Sequence, residues 1–468
     1  MLTLNSIIEN IDIDYFKFNL NFHKYILNKL KEDNFEMTKE FEDKLNRRIK
    51  LLGFINGTCP DILKFFINDD YTNYQDDFTN EDLVNLINMF SDEEPIKLSV
   101  NLIVFNEERC IERCLNALSN FADEILILDT GSTDNTVKII EEKFPEVKIF
   151  HDKWRKDFAY SRNILIDKSS NDWILSIDAD ETPTGEFYLI KDLISLFKNF
   201  KANKEHPLVF SPTIDSLGQK INTTKRIFNK QHDMKFDGKI HEEIVSKNEK
   251  EINYIMLNLT LTHDGYHPDV FKGKNKAERN TEILEKMIKL EPNKIRWYYF
   301  LGREKNILGH DVDECIKILK SGLKLKHTQN SIENFYYNIL TLLAKIAVSH
   351  KKYDLLKEVI ELMEYEIPNS LDAFYFKLIL ENDSVMSDKF LQINSMVKSV
   401  GDITNRVNTI DGTYSHVLHT LGLIYLSFRD YTRAFYYFNQ IQSPKNIEAI
   451  KNILLPLKEQ IDSFLQNK

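Results

Sequence analysis

The sequence has 468 residues, of which 42% are hydrophobic and 28% are charged. This composition is typical of a globular protein that is long enough for two or three domains. The net charge of −11 at pH 7 argues against nucleic acid as a partner, because binding to phosphates relies on many Lys and Arg contacts.

No segment predicts export or insertion into a membrane. The N-terminus lacks the basic segment and the long apolar core of a signal peptide. The most apolar later run, 339–348, is interrupted by Lys345 and is too short to span a bilayer. We therefore expect a cytoplasmic protein with no membrane partner.

The four cysteines are Cys59, Cys110, Cys114 and Cys315. They show no close metal spacing, and so few cysteines in a long chain fit a reducing compartment. Cys110 and Cys114 lie four residues apart in a helical pattern, so we expect buried core thiols rather than a redox or metal pair. The sequence contains neither GxGxxG nor GxxxxGK[ST], which disfavours dinucleotide and P-loop sites.

Residues 1–95 are expected to form a helical N-terminal segment without a catalytic signature. Apolar residues recur at a spacing of three and four over 21–31 and over 41–52, as on one face of a helix. Thr79 precedes a further apolar run and is typical of a capped helix start. The segment 57–60, Gly-Thr-Cys-Pro, predicts a turn between helices.

From Leu98 onward, predicted strands and helices alternate. The strands are 98–105, 124–128, 147–150 and a run that begins at Trp173, and the helices between them are 109–118, 136–144 and 159–168. Such alternation with short links predicts a parallel sheet with helices on both faces. Ligands of these sheets bind beyond the carboxyl ends of the strands. Asn106, Asp129 and the pair Asp178 and Asp180 follow three of the strands, so they should converge on one rim.

The run that starts at Trp173 ends abruptly in Asp178-Ala179-Asp180. Because side chains alternate along a strand, the two carboxylates are expected on the same side, where they suit a hard divalent cation that carries substrate phosphates. Ala179 keeps this edge thin, so that a ligand can approach closely. An Asp-x-Asp pair alone also fits an ordinary loop, and the convergence of three polar motifs is what favours a ligand site.

These motifs together resemble those of family 2 glycosyltransferases with the GT-A fold. The similar segments are 104–107, 128–134, 154, 157–163, 178–180, 236–243 and 262–266. The branch concerned includes the sublancin-type S-glycosyltransferases, which put a sugar on a cysteine of a bacteriocin precursor peptide, and transferases of the lipopolysaccharide core. The resemblance implies an α/β GT-A domain, a nucleotide-diphospho-sugar transferase, over 96–272.

The resemblance also implies a UDP-sugar site. Its residues are Phe105, Asn106, Glu107, Asp129, Asp157, Arg162, Asp178, Ala179 and His241. Arg162 is expected to face the nucleotide or its phosphates, the alternative being an arginine on a helix surface. Many family members carry a second acid after the equivalent of Asp129, and that acid reads the uracil. Thr130 stands there instead, so Asp129 either takes over the base contact or only shapes the turn.

A divalent metal, Mg or Mn, is implied on the Asp-x-Asp pair, where it would bridge the diphosphate. Asp180 is expected to ligate directly, and Asp178 to contact the ribose or to reach the metal through water. His263, at the end of the apolar strand 254–261, is either a metal ligand or a structural histidine. Glu242 is expected to be the general base for inversion, and a thiol acceptor would demand little of it.

Residues 273–468 predict a helical, TPR-like domain. The segment 414–444 matches a tetratricopeptide unit and 297–302 begins a weaker copy. Stacked helix pairs can hold a peptide on their concave surface; a structural cap or a dimer interface is the alternative. The resemblance implies a homodimer, a peptide site or both. Tyr266, Tyr436 and Tyr437 are the candidate contacts to the peptide acceptor, although Tyr336, Tyr337, Tyr436 and Tyr437 can equally be core residues, as we expect for at least half of them.

Three hypotheses follow from the sequence. The first is a metal-dependent inverting transferase that moves a hexose, glucose by resemblance, from a UDP-sugar to a peptide cysteine. The second is the same chemistry on a hydroxyl of a saccharide or a lipid-linked acceptor. The third is a repeat scaffold with an inactive transferase domain, which the presence of Asp178, Asp180 and Glu242 argues against.

Overall fold

The chain forms two compact units, Met1–Asn275 and Lys276–Lys468. The structure is a computed structural model that describes residues 13–59, 78–90, 95–198, 207–216, 218–248, 251–264, 276–325, 335–382, 392–393, 395–397, 410 and 413–466.

The first unit begins with helices that pack around their own apolar core. In the described part they are α1 Ile13–Phe18, α2 Leu20–Glu32, α3 Lys39–Leu52 and α4 Asn80–Met89. The side chains of Asn19, Thr38 and Thr79 cap the last three by accepting backbone N–H groups that have no partner inside the helix. The helices predicted over 21–31 and 41–52, and the capped start at Thr79, are thus confirmed.

The turn predicted over 57–60 is wrong. Gly57–Cys59 belong to strand β1, Ile55–Cys59, which pairs antiparallel with β12, Asn253–His263. Gly57 faces the side chain of Met256 so closely that a Cβ atom would collide with it. Gly57 is therefore needed for the close approach of β1 to β12 rather than for a turn. The N-terminal segment thus contributes an edge strand to the sheet.

The remaining strands build the ligand-binding part of the unit. They are β2 Leu98–Val104, β3 Glu124–Asp129, β4 Lys148–His151, β5 Trp173–Asp178, β6 Glu181–Thr184, β7 Leu208–Ser216, β8 Gln219–Ile221, β9 Ile227–Asn229, β10 Met234–Asp237 and β11 Glu243–Ser246. The main sheet has the order β1-β12-β7-β9-β5-β2-β3-β4, with β6 on β12 and β8 on β7, and β10 pairs with β11 separately.

The predicted parallel arrangement is confirmed for the strands that carry the polar motifs. β2 pairs in parallel with β3 and β5, and β3 with β4. β9 lies antiparallel between β5 and β7, so the whole sheet is mixed. Leu98, Val100 and Leu102 on one face of β2 and Ser99 and Asn101 on the other face are all buried, as expected of a strand covered on both faces.

Helices connect the strands of the sheet and cover it. They are α5 Ile111–Leu118, α6 Thr136–Lys143, α7 Phe158–Lys168 and the short α8 Ile190–Ser195. Cys110 and Cys114 are buried free thiols at the sheet-facing side of α5, and burial raises the pKa of the Cys110 thiol to about 12. The two are therefore unreactive core residues, as predicted.

The second unit is helical. Its described helices are α9 Lys276–Leu290, α10 Ile295–Ile307, α11 Val312–Leu323, α12 Phe335–Ser349, α13 Tyr353–Glu366, α14 Leu371–Asn382, α15 Ser415–Ser427, α16 Tyr431–Phe438 and α17 Pro444–Gln466. None of the helices that the structure describes is long and apolar enough to cross a bilayer.

Glycines of the repeat signature allow the helices of a pair to approach closely. A Cβ atom at Gly422 of α15 would collide with the ring of Phe438 of α16, and one at Gly302 of α10 with the side chain of Leu319 of α11. Both predicted repeat units therefore exist as packed helix pairs. This packing agrees with the TPR-like architecture.

Candidate active site

The loop after β2 is tied to the loop after β3. Asn106 adopts a left-handed conformation with φ of 56°, and its Oδ1 accepts the backbone N–H groups of Thr133 at 2.7 Å and Asp134 at 3.4 Å. Its own N–H donates to the Ser132 hydroxyl at 3.0 Å. The two loops are thus locked together at the carboxyl edge, while the side chain of Phe105 beside them is 52% exposed.

Asp129 shapes the turn that follows β3. Its carboxylate accepts the backbone N–H groups of Gly131 at 3.2 Å and Ser132 at 3.0 Å, and His151 Nδ1 lies 3.3 Å away. Burial opposes ionisation, but these hydrogen bonds outweigh it and hold the pKa of Asp129 below its usual value. Thr130 points inward and donates its hydroxyl to the carbonyl of Val104 at 3.0 Å, so it does not take the outward place of the second acid.

Asp178 and Asp180 have different hydrogen-bond and ion-pair partners. The register brings Asp178 opposite Ile103 of β2, but β5 ends at Asp178 and the next two residues form a turn. Asp178 faces Arg162 and Arg226, whereas Oδ2 of Asp180 lies 3.5 Å from His263 Nε2. Asp180 therefore lies beyond the end of the strand to which the alternation rule applies.

Arg162 of α7 joins two carboxylates, which excludes the alternative of an arginine on a helix surface. The residue is only 5% exposed. Its Nε donates to Oε1 of Glu242 at 2.6 Å and its Nη2 to Oδ1 of Asp178 at 2.7 Å. Although burial opposes ionisation of Asp178, the guanidinium groups of Arg162 and Arg226 hold the pKa of that carboxyl well below its usual range.

The N-terminus of α7 organises the loop that carries His241 and Glu242. Asp157 caps the helix, since its Oδ1 accepts the N–H of Tyr160, and its Oδ2 pairs with Lys239 at 2.8 Å. The N–H of Phe158 donates to the carbonyl of Lys239 at 2.9 Å. His241 has a φ of 48°, a left-handed conformation that turns the chain just before Glu242.

Asp180 and His263 have the donor atoms that a divalent cation requires. Besides its approach to Asp180, His263 places Nδ1 3.1 Å from the Ser216 hydroxyl, and with Nδ1 protonated the Nε2 lone pair faces the carboxylate. Burial lowers the pKa of His263, but the hydrogen bond to Asp180 and the nearby acids raise it overall. A proton or a cation is therefore favoured between the two.

Asp180 and His263 supply only two of the ligands that such a cation needs. Within the described ranges, no group of three His, Cys, Asp or Glu side chains is arranged to hold a metal ion. The pair Asp180 and His263 fits a cation that completes its coordination with substrate oxygens and water, as Mg²⁺ commonly does.

Sequence reasoning missed four charged residues next to the site. Arg226 donates to Glu181 and to Asp178, and the buried Glu181 accepts the backbone N–H of Asp178 at 3.0 Å. Arg109 of the β2–α5 connection and Arg113 of α5 both pair with Asp264, at 2.8 and 2.6 Å, which fixes the chain just after His263. Of these four residues, only Glu181 could have been identified from the sequence, because it directly follows the Asp-x-Asp pair.

The remaining sequence candidates are the proposed peptide contacts. Tyr266 falls outside the described residues, and Tyr436 and Tyr437 belong to the second unit. Tyr336 and Tyr337 are buried, so half of the four helical tyrosines are core residues, as expected. An open polar cavity elsewhere on the first unit contains none of the predicted site residues; it is lined by Asn56, Thr213, Lys220, Asn222, Asn258 and Thr260.

Known proteins are similar to both parts of the chain. The sequence model described as Glycosyl transferase family 2 matches residues 99–243. The SPbeta prophage-derived glycosyltransferase SunS of Bacillus subtilis is 30% identical over 373 residues, which cover 79% of this chain and 86% of SunS. A TPR repeat-containing protein of Synechococcus elongatus is 24% identical over 301 residues, 61% of this chain and 70% of that protein.

Among solved structures, residues 1–349 of S. aureus TarS in complex with UDP-GlcNAc are 14% identical to this chain. The superposition covers 58% of this chain and 92% of that chain with a TM-score of 0.33, which is too low to support an argument.

Proposed function

The chain belongs to glycosyl transferase family 2, and from this premise we propose that it transfers a hexose from a UDP-sugar to a cysteine thiol of a bacteriocin precursor peptide. The glycosyltransferase activity and the GT-A fold follow from the family. The acceptor is proposed because the chain resembles the sublancin-type S-glycosyltransferases. Glucose, from UDP-glucose, is the sugar that this resemblance favours.

The single observation that carries the proposal is the convergence of five acidic or basic groups at the carboxyl end of β5. Asp178, Arg162 and Glu242 form one hydrogen-bonded chain, and Asp180 with His263 lies beside it. This arrangement offers a cation-binding pair for a diphosphate and a separate carboxylate for an acceptor proton. An inactive scaffold would not need the largely buried ion pair of Arg162 and Glu242, because such a pair is costly to maintain.

The donor is proposed to bind along the carboxyl edge of the sheet, where α/β sheets have their ligand-binding crevices. The proposed contacts are Phe105, Asn106, Glu107, Asp129, Asp157, Arg162, Asp178, Ala179 and His241. The exposed ring of Phe105 and the locked loops at Asn106 support a preformed base and ribose site. Asp129 is proposed to contact the base through those carboxylate lone pairs that do not already accept the N–H groups of Gly131 and Ser132.

Mg²⁺ or Mn²⁺ is proposed to be held by Asp180 and His263. When bound there, the ion would offset the negative charge that develops on the leaving diphosphate. Ser216 would fix the imidazole by its contact to Nδ1, and Arg109 and Arg113 would fix the backbone after His263 through Asp264.

Glu242 is proposed to act as the general base. Its carboxylate accepts the proton of the acceptor thiol, and the sulfur forms a bond to the anomeric carbon as the bond from that carbon to the diphosphate oxygen breaks. The products are an S-linked hexose with inverted configuration and UDP, which carries away the charge. Because a free thiol has a pKa of about 8.5, it needs less help from a base than a hydroxyl does.

The helical unit is proposed to hold the peptide and to form a homodimer. Tyr436 is 63% exposed, and several large apolar side chains on α16 and α17 share this exposure: Tyr431, Phe435, Ile453, Leu455, Leu457 and Ile461. Exposed apolar residues at this density are typical of interaction surfaces. Tyr437 and Tyr266 are the other proposed peptide contacts.

The direct test is an incubation of the protein with Mg²⁺, UDP-glucose and a cysteine-containing precursor peptide. Intact-mass analysis should show the addition of one hexose to the peptide. Sugar transfer to a free saccharide, with no modification of the peptide, would instead favour an acceptor hydroxyl.

A further inference from the structure

Arg162 occupies a place that a contact with the donor alone does not explain. Three of its nitrogen atoms donate to three different residues: Nε to Glu242 at 2.6 Å, Nη1 to the Ser176 hydroxyl at 2.7 Å and Nη2 to Asp178 at 2.7 Å. Its side chain is 6% exposed. The guanidinium is therefore engaged by the protein on each of its nitrogens.

The surroundings of Arg162 fix the plane of the guanidinium. The ring of Phe236 lies under it, with 5.3 Å from Cζ to the ring centroid. Asn163, the next residue, exchanges two hydrogen bonds with the backbone of Phe236, at 2.8 and 2.9 Å. Because α7 is thus fastened to β10, the direction of each Arg162 N–H group is set before any substrate binds.

We infer that Arg162 is a positioning residue, which holds the carboxylates of Glu242 and Asp178 in one fixed arrangement across the site. The inference rests on the proposed function, in which Asp178 belongs to the donor site and Glu242 is the base. It extends that function because the orientation of Glu242, the base, then depends on the same arginine that holds Asp178, the residue proposed to contact the donor.

Arginine suits this place for a geometric reason. Its planar fork presents donors in fixed directions, whereas a lysine ammonium is a single point of charge. The two carboxylates meet different nitrogens of the fork, so a lysine can satisfy one of them but cannot set the angle between them. Arg226, which donates to Asp178 and Glu181, supplies a second cation and keeps Asp178 paired when Arg162 is changed.

Arg162→Lys should therefore lower kcat while it changes KM for the peptide little. Misplacement of a reacting group by about 1 Å commonly costs about 10²-fold in rate, and we expect a loss of this order. Arg162→Gly should lose at least as much, and added guanidinium ion should restore part of its rate, because the free ion can occupy the same cavity and bridge both carboxylates. Methylammonium at equal concentration should restore less.

Arg48→Lys is the matched control, since Arg48 is also buried and donates to the carbonyls of Phe90 and Lys17 in the N-terminal helices. It should lower the melting temperature without changing kcat or responding to guanidinium. If Arg162→Gly behaves like this control, with lost stability and no rescue by guanidinium, Arg162 has only a structural role and the inference is overturned.

A crystal structure of Arg162→Lys separates this inference from the proposed function. We expect the Glu242 carboxylate to leave its position near Asp178 while α7 and β10 stay in place. Unchanged positions of both carboxylates would contradict the inference even if the enzyme transfers sugar as proposed. Failure of the wild type to modify any peptide would refute the proposed acceptor. The positions of the two carboxylates in the wild type and in Arg162→Lys would still decide whether Arg162 positions them.

Discussion

His263 presents its Nε2 atom 3.5 Å from Oδ2 of Asp180, although Asp180 lies in the turn between β5 and β6 and His263 ends β12, far away in sequence. The antiparallel pairing of β6 with β12, which aligns His263 with Glu181, creates this proximity. The pairing thus brings Asp180 and His263 together as one candidate cation site.

Removal of the cation should therefore stop transfer. Asp180→Ala should keep the fold but abolish detectable transfer, because the leaving diphosphate loses its counter-charge. EDTA treatment of the wild type should do the same, and added Mn²⁺ or Mg²⁺ should restore the rate. Asp167→Ala, which removes an exposed carboxylate of α7, serves as the control and should remain active. Full turnover in the presence of EDTA would show that the metal assignment is wrong.

Glu242→Gln should slow transfer because the amide cannot take up the acceptor proton. Loss of a general base typically costs about 10²–10⁴-fold, and with a thiol acceptor we expect the lower end. Rates measured from pH 6 upward should recover in part near the thiol pKa of about 8.5. The neighbouring Glu243→Gln is the matched control. An unchanged rate of Glu242→Gln at every pH would remove Glu242 from the mechanism.

His23 makes the stability of the N-terminal helices depend on pH. Burial and the adjacent Arg48 lower the pKa of His23 from 6.5 to about 3. The unfolded chain therefore binds a proton below pH 6.5 while the folded chain does not, so the stability is full above pH 6.5 and is lost as the pH falls toward 3. The loss amounts to about 1.4 kcal/mol for each pH unit.

The test compares the wild type with His23→Gln. Glutamine does not titrate, so the stability advantage of the wild type should shrink as the pH is lowered from 7.5 to 5. Denaturation midpoints at several pH values measure this difference. A constant difference over the whole range would mean that His23 titrates alike in the folded and unfolded chains.

Tyr436 and Tyr437 should respond differently to truncation. Tyr437 stacks on Tyr425 with ring centroids 5.6 Å apart, so Tyr437→Ala should lower the melting temperature through lost packing. Tyr436 is exposed, so Tyr436→Ala should leave stability unchanged and raise KM for the peptide if α16 contacts it. Slow hydrolysis of the UDP-sugar should be unaffected. The exposed Tyr365 of α13 provides the control, and equal effects of Tyr365→Ala and Tyr436→Ala on KM would argue against a peptide site at Tyr436.

Much of the fold was predicted from local sequence patterns, because these helices and strands depend mainly on residues that are close in sequence. The strand–helix alternation after Leu98 and the repeat glycine Gly422 each depend on neighbouring residues or on one adjacent helix. The strand β1 was missed because its short, polar sequence becomes a strand only through pairing with β12. The family resemblance indicated the GT-A fold, whereas the repeat pattern of 414–444 itself indicated the repeat domain.

The sequence indicated residues of the candidate site but not which of them contact one another. Asp178, Asp180, Glu242 and Arg162 were all identified, yet their pairing depends on where β5 ends and on how α7 faces β10. Arg226 carried no signal, because its segment has no recognisable pattern and its partners come from another strand. Side-chain directions at the end of a strand are set by tertiary contacts, which spacing rules do not contain.

The most direct measurement of the central claim is the intact mass of three precursor peptides after incubation with the protein, UDP-glucose and Mg²⁺. The peptides are the cysteine form and its Cys→Ser and Cys→Ala variants. Transfer to the thiol predicts one added hexose on the cysteine form, far less or none on the serine form and none on the alanine form. Equal addition of hexose to the cysteine and alanine forms, or modification of a free saccharide alone, would contradict the account.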